Sequence, residues 1–384
     1  MHVAHLSLVD YRNYEHAEVA LEPGVVLFIG RNGQGKTNLV EAIAYAGTAS
    51  SHRVSTDQAL IKFGAESAII RARVQHADRA IVVEIELNRG SPNRAQVNHS
   101  VVKVRDLPRY FSSVVFAPED LALVRNDPAV RRGFLDTLVV QKTPRLAGVM
   151  ADYERVVRQR NSLLKSARAS RLPADRLTTL DVWDDRLVSL GTEIIVARAA
   201  LVDALQPHVA EAYSAVAGDD HHTRLSMRLS VHGRDDDAMT EPGSHLNESA
   251  LQLDERFRRA LAENRRAELD RAVTMIGPHR DDLVLELNNL PARGYASHGE
   301  SWSYALALKL ASAEVLRENA VAGDPVLILD DVFAELDEGR RDRLADAVSG
   351  FEQVLITAAV GADVPERLAA RRVSVVAGTI AQDE

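Results

Sequence analysis

The sequence contains no cysteine, and this absence removes several classes of chemistry at once. Without a thiolate there is no disulfide framework, no cysteine nucleophile and no zinc or iron–sulfur site held by cysteine. The chain has 384 residues, so it is long enough to bury a sizeable core without covalent or metal staples. The lack of cysteine fits a reducing compartment, and we expect a cytoplasmic protein.

Long apolar runs are also missing. A membrane-spanning helix needs roughly 18 uninterrupted apolar residues, and no segment approaches that length. The nearest candidate, residues 194–205, is short and carries Arg198 and Asp203. The first residues lack the basic start and the apolar stretch of a signal peptide. We therefore expect no membrane partner.

An overall excess of basic charge is absent. The chain has 46 Lys and Arg against 55 Asp and Glu, which leaves a net charge of −9. An average basic balance is the usual footprint of a nucleic-acid binder. Nearly all of the basic residues are arginine, and only six are lysine, at positions 36, 62, 103, 142, 165 and 309. Codon bias and phosphate recognition by guanidinium groups both explain this excess, and composition does not separate them.

The periodicity of apolar residues divides the chain into three zones. Residues 1–127 are rich in strands, residues 128–272 are helical, and strands and helices alternate over 273–384. Alternation of this kind predicts an α/β sheet with a parallel core. The predicted strands are 3–9, 18–21, 25–29, 68–75, 80–87, 95–104, 223–231, 283–287, 326–329, 354–357 and 372–376. The predicted helices are 145–166, 181–216 after a break near Pro173, 251–273, 300–318 and 338–349, with a solvated loop at 235–237.

A phosphate-binding loop stands out in the first zone. Residues 30–37 match G-x-x-x-x-G-K-[ST], with a predicted strand before them and a predicted helix from about Asn38 after them. The glycines let backbone N–H groups curl around phosphate, and the helix N-terminus adds partial positive charge. The expected nucleotide-binding residues are Gly30, Arg31, Asn32, Gly33, Gln34, Gly35, Lys36 and Thr37.

Two carboxylates follow a buried strand in the third zone. The run Val326–Leu329 leads into Asp330 and Asp331. Ligands of open parallel sheets bind at the carboxyl ends of the strands, so this position suits a nucleotide site. Thr37 and Asp330 are the candidates to hold Mg²⁺, and Asp331 is the candidate to orient the attacking water.

Two further short motifs flank these carboxylates, and the first of them, at 297–301, is called the signature. Residues 297–301 read Ser-His-Gly-Glu-Ser at the start of a predicted helix, and residues 334–337 read Ala-Glu-Leu-Asp after the second aspartate. Singly, each motif is more typical of a helix cap or a turn. Their order after a phosphate loop and a long insertion resembles the ATP-binding-cassette ATPases of the SMC type.

Within that group the chain is similar to the RecF recombination mediator family over nearly its whole length. The matching segments are 6–14 (LSLVDYRNY), 30–37, 115–124 with 131–136, 276–283 (IGPHRDDL), 297–310 and 329–337. The resemblance implies an α/β fold: an ABC-type P-loop ATPase head with flanking helices, and a compact helical lobe between its two halves. The head halves would be residues 1–127 and 273–384, and the lobe residues 128–272.

The resemblance also implies an activity and partners. ATP would drive formation of a homodimer, in which Ser297 and Gly299 of one subunit complete the catalytic set of Lys36 and Asp331 in the other. The dimer would bind gapped, duplex or single-stranded DNA and, with RecR and RecO, help load the recombinase; slow Mg²⁺-dependent hydrolysis would reset it. This chain has Ser301-Trp302 where many members carry a basic pair, and Ala358-Ala359 where transporter cassettes carry a histidine.

Local arginine clusters are the residues available for DNA contact. The alternative is that they lie on solvated helix faces with acidic partners three or four positions away. Aromatic content is 5%, which favours tracking of the DNA backbone over base stacking. His221 and His222 have no third ligand at metal spacing and are expected at the surface. The clusters are 131–132; 155, 158, 160, 168 and 171; and 256, 258, 259, 265, 266 and 271.

Three other functions fit parts of this pattern. A transporter motor subunit would place the signature far closer to the phosphate loop. A cassette ATPase of a phage-defence or other DNA-maintenance system would bring an additional acidic metal cluster. A DNA-binding scaffold that holds ATP without hydrolysing it would share every motif, and only a turnover measurement distinguishes it.

Overall fold

The structure is a computed structural model that describes residues 1–76, 78–171, 178–218, 221–233, 248–318, 320, 323–368 and 371–382. It forms two compact units. The head unit comprises Met1–Val124, His208–His221 and Ser297–Glu384, and the helical unit comprises Arg125–Pro207 and His222–Ala296. In the described part of the chain, no helix combines the length and the apolar character that crossing a membrane requires.

The predicted strands and helices have counterparts among the described residues, although the strand predicted over 223–231 ends at Arg228. The strands at 113–116, 290–291 and 379–382 and the helices at 121–125, 128–142 and 292–295 were not predicted individually. The strands are β1 His2–Tyr11, β2 Tyr14–Ala20, β3 Gly24–Ile29, β4 Ser67–His76, β5 Arg79–Asn88, β6 Arg94–Val97, β7 Ser100–Val102, β8 Ser113–Phe116, β9 Thr223–Arg228, β10 Asp282–Leu287, β11 Leu290–Pro291, β12 Val326–Asp330, β13 Gln353–Ala358, β14 Arg371–Val376 and β15 Thr379–Gln382. The helices are α1 Lys36–Thr48, α2 Leu121–Arg125, α3 Pro128–Lys142, α4 Leu146–Ala169, α5 Thr178–Ala217, α6 Ala250–Arg271, α7 Ala292–Tyr295, α8 His298–Glu318 and α9 Glu338–Val348.

One sheet of the head is antiparallel, in the order β2-β1-β4-β5-β6-β7. Strand β4 shows why it has one buried face: Ile70, Ala72 and Val74 are buried, and Arg71 and Arg73 between them are exposed. This alternation is the pattern of a strand that packs one side on a core. The buried side chains of the sheet join those of α1 in one hydrophobic core.

The predicted strand over 95–104 is wrong in its continuity. The chain turns back at Asn98 and His99, which have φ of 48° and 65°, so that β6 and β7 pair as a hairpin. Two consecutive residues of positive φ form the tight turn that matches the twist of antiparallel strands. A short 3-10 helix over Val104–Arg109 follows.

The second sheet of the head has the predicted parallel core. Its order is β15-β14-β3-β13-β12-β8, and only β15 joins antiparallel to its neighbour. All residues of β12 and β13 are buried, which explains their continuous apolar runs. Because β3, β12 and β13 are parallel, their carboxyl ends meet at one edge of the sheet, where the predicted site residues follow.

The helical unit contains more than helices. Strands β9, β10 and β11 form an antiparallel sheet, so the prediction that 283–287 belongs to the parallel core is wrong. Strand β10 is also tied to α3, where Arg131 donates to both carboxylate oxygens of Asp282 at 2.8 and 2.9 Å. For this reason residues 273–296 fall in the helical unit, although the predicted lobe ended at residue 272.

The end of α5 falls in the head unit instead of the predicted lobe. Tyr213 packs edge-on against Tyr304 of α8, with ring centroids 5.8 Å apart. Arg343 of α9 donates to the carbonyls of Val216 and Ala217, which are terminal carbonyls of α5. The predicted break near Pro173 and the predicted loop 235–237 lie outside the described residues.

Candidate functional site

The phosphate loop connects β3 to α1, as predicted. Gly33 and Gly35 have φ of +82° and +114°, a backbone conformation that L side chains rarely adopt. A Cβ at Gly35 would also lie 2.6 Å from the Tyr14 hydroxyl, and one at Gly30 would lie 2.2 Å from the carbonyl oxygen of Val375. These glycines are therefore required by the local geometry of the loop.

The Lys36 side chain is held against its own loop. It is buried, and its Nζ donates to the carbonyl oxygen of Gly30 at 2.8 Å. Arg31, Asn32 and Gly33 at the tip of the loop are exposed. An ammonium group under an exposed glycine-rich tip is the arrangement that receives phosphate oxygens.

Two distant segments brace this loop, and sequence reasoning missed both. Asn13 donates to the carbonyl oxygen of Gln34 at 3.2 Å, and the side-chain oxygen of Gln34 accepts from the Ala377 amide at 2.6 Å. The Gly378 amide donates to the Gln34 carbonyl oxygen at 3.2 Å. Asn13 belongs to a segment that the family resemblance had marked, but no pattern in the sequence pointed to the turn at 377–378.

The two predicted magnesium ligands lie side by side. The Thr37 hydroxyl donates to Asp330 Oδ1 at 2.9 Å. The hydroxyl of Thr357, at the end of the neighbouring strand β13, donates to the same oxygen at 2.7 Å. His52 lies on the other side of the carboxylate, with its Nε2 atom 3.7 Å from Asp330 Oδ2. The sequence predicted that Thr37 and Asp330 share a site, but it gave no indication of Thr357 or His52.

The two carboxylates have different electrostatic environments. Burial by itself would raise the pKa of Asp330, but the nearby His52 ring and the hydrogen bonds from Thr357 and Thr37 outweigh burial and lower that pKa below its usual value. Burial raises the pKa of Asp331, Lys36 opposes this rise, and the charge of Asp330 adds to it. Neighbouring carboxylates whose pKa values move apart are suited to different tasks.

The signature segment begins α8 with a capping box. Glu300 N–H donates to the Ser297 hydroxyl at 3.2 Å, and Ser297 N–H donates to the Glu300 carboxylate at 2.7 Å. The helix cap that the motif suggested is thus present, and Ser297 is nevertheless exposed. Ser301 and Trp302 are buried, so neither offers a polar group at the surface.

The segment after the second aspartate leads into α9. Asp337 accepts from Arg340 N–H at 2.9 Å and caps this helix. The guanidinium of Arg340 lies over the signature, since a Cβ at Gly299 would be 2.7 Å from one of its nitrogens. The contacts described for Ser297 and Gly299 thus lie within α8 and at Arg340.

A buried ionic cluster supports α1 behind the loop. Arg12 donates to both carboxylate oxygens of Glu41 at 2.9 and 2.7 Å, and Ser51 donates to the same carboxylate at 2.6 Å. Glu41 has no exposed surface. Hydrogen bonds from Arg12 and Ser51 lower the pKa of Glu41 against the effect of burial, so it stays charged. The cluster anchors the segment that carries His52.

Many of the predicted DNA-contacting arginines have acidic partners instead. Arg131 and Arg160 are buried, and Arg160 pairs with Asp184 and Glu268 at 2.6 and 2.5 Å. Other members pair within or between helices: 155 with 152, 158 with 154, 256 with 248, 258 with 254 and 185, and 265 with 181 and 184. Within the described part of the chain, exposed members without an ion pair are Arg168, Arg171, Arg259, Arg266 and Arg271.

His221 and His222 lie before β9, and His221 is near Glu300 at 3.9 Å. Among the described residues, no three His, Asp or Glu side chains converge in a way that holds a metal ion by themselves.

The fold and the site define a class of protein, the ATPase head of the SMC type. The family model described as the RecF/RecN/SMC N terminal domain matches residues 2–376. The Smc head solved with the C-winged helix domain of ScpA shares the fold, with a TM-score of 0.54, 15% identity and coverage of 99% of this chain and 96% of that one.

Relatives of higher sequence identity show which family of this class the chain belongs to. The chain is 60% identical to the DNA replication and repair protein RecF of Clavibacter sepedonicus, over 100% of this chain and 95% of that protein. It is 59% identical to the RecF of Leifsonia xyli subsp. xyli, over 100% of both. A solved structure of the recombination mediator protein RecF-ATP in the RecFOR pathway has a TM-score of 0.88 and 26% identity, over 100% of this chain and 97% of that one. The chain belongs to the RecF family.

Proposed function

We propose that this chain is a DNA replication and repair ATPase: a recombination mediator that binds ATP and Mg²⁺, dimerises in that state and then binds DNA. The observation that carries the proposal is the hydrogen bond between Thr37 and Asp330, because it brings the phosphate loop and the carboxylate strand into one site. A solved relative with the same fold is described with ATP and as a recombination mediator.

The residues present fit a magnesium nucleotide. Mg²⁺ prefers oxygen ligands and is usually held by one or two protein groups together with the phosphates. Thr37 and Asp330 offer a hydroxyl and a carboxylate whose lowered pKa keeps it ionised. Lys36 and the amides of residues 30–37 would bind the phosphates, and Lys36 would exchange its bond to the Gly30 carbonyl for phosphate oxygens. When bound, Mg²⁺ would neutralise charge that develops on those oxygens.

Asp331 is the residue that would prepare the attacking water. It lies beyond the end of β12, with its backbone amide held by Thr357 and its carboxylate close enough to Lys36 for their charges to interact. A carboxylate with a raised pKa accepts a hydrogen bond from water and removes its proton more readily than an ordinary aspartate does. Hydrolysis would release the phosphate that joins the subunits.

Ser297 and Gly299 would act on nucleotide held by a second copy. Ser297 is exposed just before a helix of 21 residues, and its hydroxyl, which accepts from Glu300 N–H in this structure, would turn to a phosphate of that nucleotide. A signature used in this way leaves each monomer with half of every working site, so ATP acts as the adhesive of a symmetric dimer. ATP binding and DNA binding would then be thermodynamically linked.

DNA and the partners RecR and RecO complete the proposal. Family membership supports these partners, because the solved relative is described within the RecFOR pathway. The net charge of −9 does not oppose DNA binding, since a dimer needs only one basic face.

Sizing the protein in solution tests the dimer directly. We expect a dimer with Mg-ATP and DNA, and a monomer with Mg-ADP. Lys36→Arg keeps the charge but moves the contact, so this variant should remain a monomer with ATP. If all three samples stay equally monomeric with DNA present, the proposal that ATP drives dimerisation is wrong.

Phosphate release separates the proposed ATPase from a scaffold that holds ATP without turnover. DNA-stimulated release by the natural chain, lost in Asp331→Asn, supports the ATPase. No release by either protein favours the scaffold.

A further inference from the structure

Thr357 is a buried threonine between the two carboxylates of the site. It is the fifth of six residues in β13, is paired in register with Asp330 of β12 and has no exposed surface. It lies 27 positions after Asp330 and outside each motif that predicted the nucleotide site. The apolar residues that precede it in β13 are typical of a buried strand.

Its hydroxyl makes two bonds with opposite roles. It donates to Asp330 Oδ1 at 2.7 Å and accepts from the backbone N–H of Asp331 at 2.9 Å. A hydroxyl has one proton and free lone pairs, so one side chain satisfies both groups at once. The bond to Asp330 is charge-assisted and therefore among the stronger kinds.

The second bond lies at a strained point of the backbone. Asp331 has φ of 52°, in the left-handed region that a residue with a side chain occupies at a cost. Such a conformation persists only where surrounding contacts hold it. The amide bond to Thr357 is one such contact, and it sets the direction in which the Asp331 side chain leaves the strand.

The two hydroxyls that donate to Asp330 Oδ1 differ in whether their role depends on a bound ligand. Thr37 is a candidate magnesium ligand, so its hydroxyl has a second task in the nucleotide-bound protein. Thr357 has both of its bonds within the protein, and they do not depend on a ligand.

From these contacts we infer that Thr357 is a positioning residue of the ATPase. Its hydroxyl fixes the Asp330 carboxylate and the Asp331 backbone relative to each other, so that the magnesium ligand and the water-orienting group keep a constant relative position. The inference rests on the proposed function, since it assigns a role within that same site.

Three substitutions isolate the hydroxyl. Thr357→Val keeps the branched shape but removes both bonds, and Thr357→Ser keeps the hydroxyl and removes a methyl group. Thr192→Val is a matched control, because Thr192 is also buried but its hydroxyl has no hydrogen-bond partner among the described residues. Each full-length protein is measured for ATP affinity without metal, for the Mg²⁺ concentration that half-saturates ATP binding, and for kcat and KM of hydrolysis.

We expect Thr357→Val to lower kcat about tenfold or more and to raise the half-saturating Mg²⁺ concentration several-fold, since hydrogen bonds to charged groups have effects of about this size. Its ATP affinity without metal should stay within about twofold, because the phosphate loop is intact. Thr357→Ser should recover most of the loss, and Thr192→Val should behave as the natural chain.

The inference is overturned if Thr357→Val matches the natural chain in both kcat and Mg²⁺ dependence, or if Thr357→Ser is as impaired as Thr357→Val. A general loss of folding would lower ATP affinity without metal as well, and that result also counts against a positioning role. The natural chain decides the proposed function separately. If the natural chain binds ATP but does not hydrolyse it, the proposed ATPase activity is wrong. The Mg²⁺ dependence of ATP binding then still decides the role of Thr357.

Discussion

Thr37 and Asp330 are separated by 293 positions in the chain, and the hydroxyl of the first lies 2.9 Å from a carboxylate oxygen of the second. One follows β3 and the other ends β12, and the parallel strand β13 lies between these two strands. The sheet thus brings a helix start and a strand end to one edge. Both ligands proposed for Mg²⁺ depend on this alignment.

Substitution of Thr37 by alanine tests the metal site. Loss of the hydroxyl removes one proposed ligand but leaves the Lys36 ammonium and the loop amides. We expect the Mg²⁺ concentration needed for hydrolysis to rise about tenfold, with a smaller change in ATP affinity without metal. Thr48→Ala is the control, because Thr48 ends the same helix and its hydroxyl donates to the Ala44 carbonyl oxygen. Equal Mg²⁺ dependence in both variants would argue against Thr37 as a ligand.

The pH dependence of hydrolysis tests Asp331. Its pKa is raised by burial, so its carboxylate takes up a proton at a higher pH than an ordinary aspartate does. Only the ionised form accepts a proton from water, and the rate should therefore fall with decreasing pH already above the usual aspartate range. Asp331→Asn should lower kcat by about a hundredfold or more while ATP still binds. Asp106→Asn, elsewhere in the head, should leave the profile unchanged; a near-normal rate in Asp331→Asn would exclude the proposed role.

The pH dependence of stability tests Asp281 of the helical unit. Burial raises the pKa of this carboxyl to about 6, and although its Oδ1 atom accepts from Ser230 N–H at 2.7 Å, Oδ2 has no partner among the described residues. In the unfolded chain the pKa is about 3.9, so the folded state binds more protons between about pH 4 and 6. Stability contributed by this group is therefore present at low pH and is lost as the pH rises through that window, by about 3 kcal/mol in total.

Asp281→Asn removes this titration. The variant should melt several degrees above the natural chain at pH 7.5, and the difference should shrink towards pH 4. Asp270→Asn replaces an exposed aspartate of α6 and should show no such trend. A constant difference between Asp281→Asn and the natural chain at every pH would contradict the raised pKa.

The salt dependence of DNA binding tests which arginines contact phosphates. Arg259 and Arg266 of α6 are exposed, are seven positions apart and form no ion pair with described residues. Arg155 and Arg158 of α4 are paired with Asp152 and Glu154. Replacing the first two by alanine should reduce the slope of log affinity against log salt by about 2, since each released phosphate contact contributes about 0.9. Replacing Arg155 and Arg158 by alanine should change the slope little. The reverse result would show that α4, and not α6, contacts the DNA phosphates.

The phosphate loop was predictable because its chemistry is local. A strand, eight residues of fixed type and a helix start are adjacent in the chain, so residues 30–37 carry the whole motif. Asp330 was predictable for a similar reason, as a carboxylate directly after a buried apolar run. The paired strands of the antiparallel sheet were evident from alternation, as in β4.

Other features depend on partners that are distant in the chain. The run 95–104 has strand-like composition throughout, and only positive φ at Asn98 and His99 makes it a hairpin. Strand β10 looks like any short apolar strand, and its pairing with β9 and its contact with Arg131 assign it to the helical unit. The arginine clusters look alike in sequence, but burial and ion pairs remove Arg131 and Arg160 from the surface.

The sequence by itself determined the class of chemistry, because the phosphate loop and the carboxylate pair are short, local patterns whose residue types have few other uses. Tertiary structure alone decided which further side chains complete the site. Thr357, His52 and the turn at 377–378 reach the loop or the carboxylates through strand alignment and packing. Such contacts arise from long-range pairing of strands, which no local pattern records.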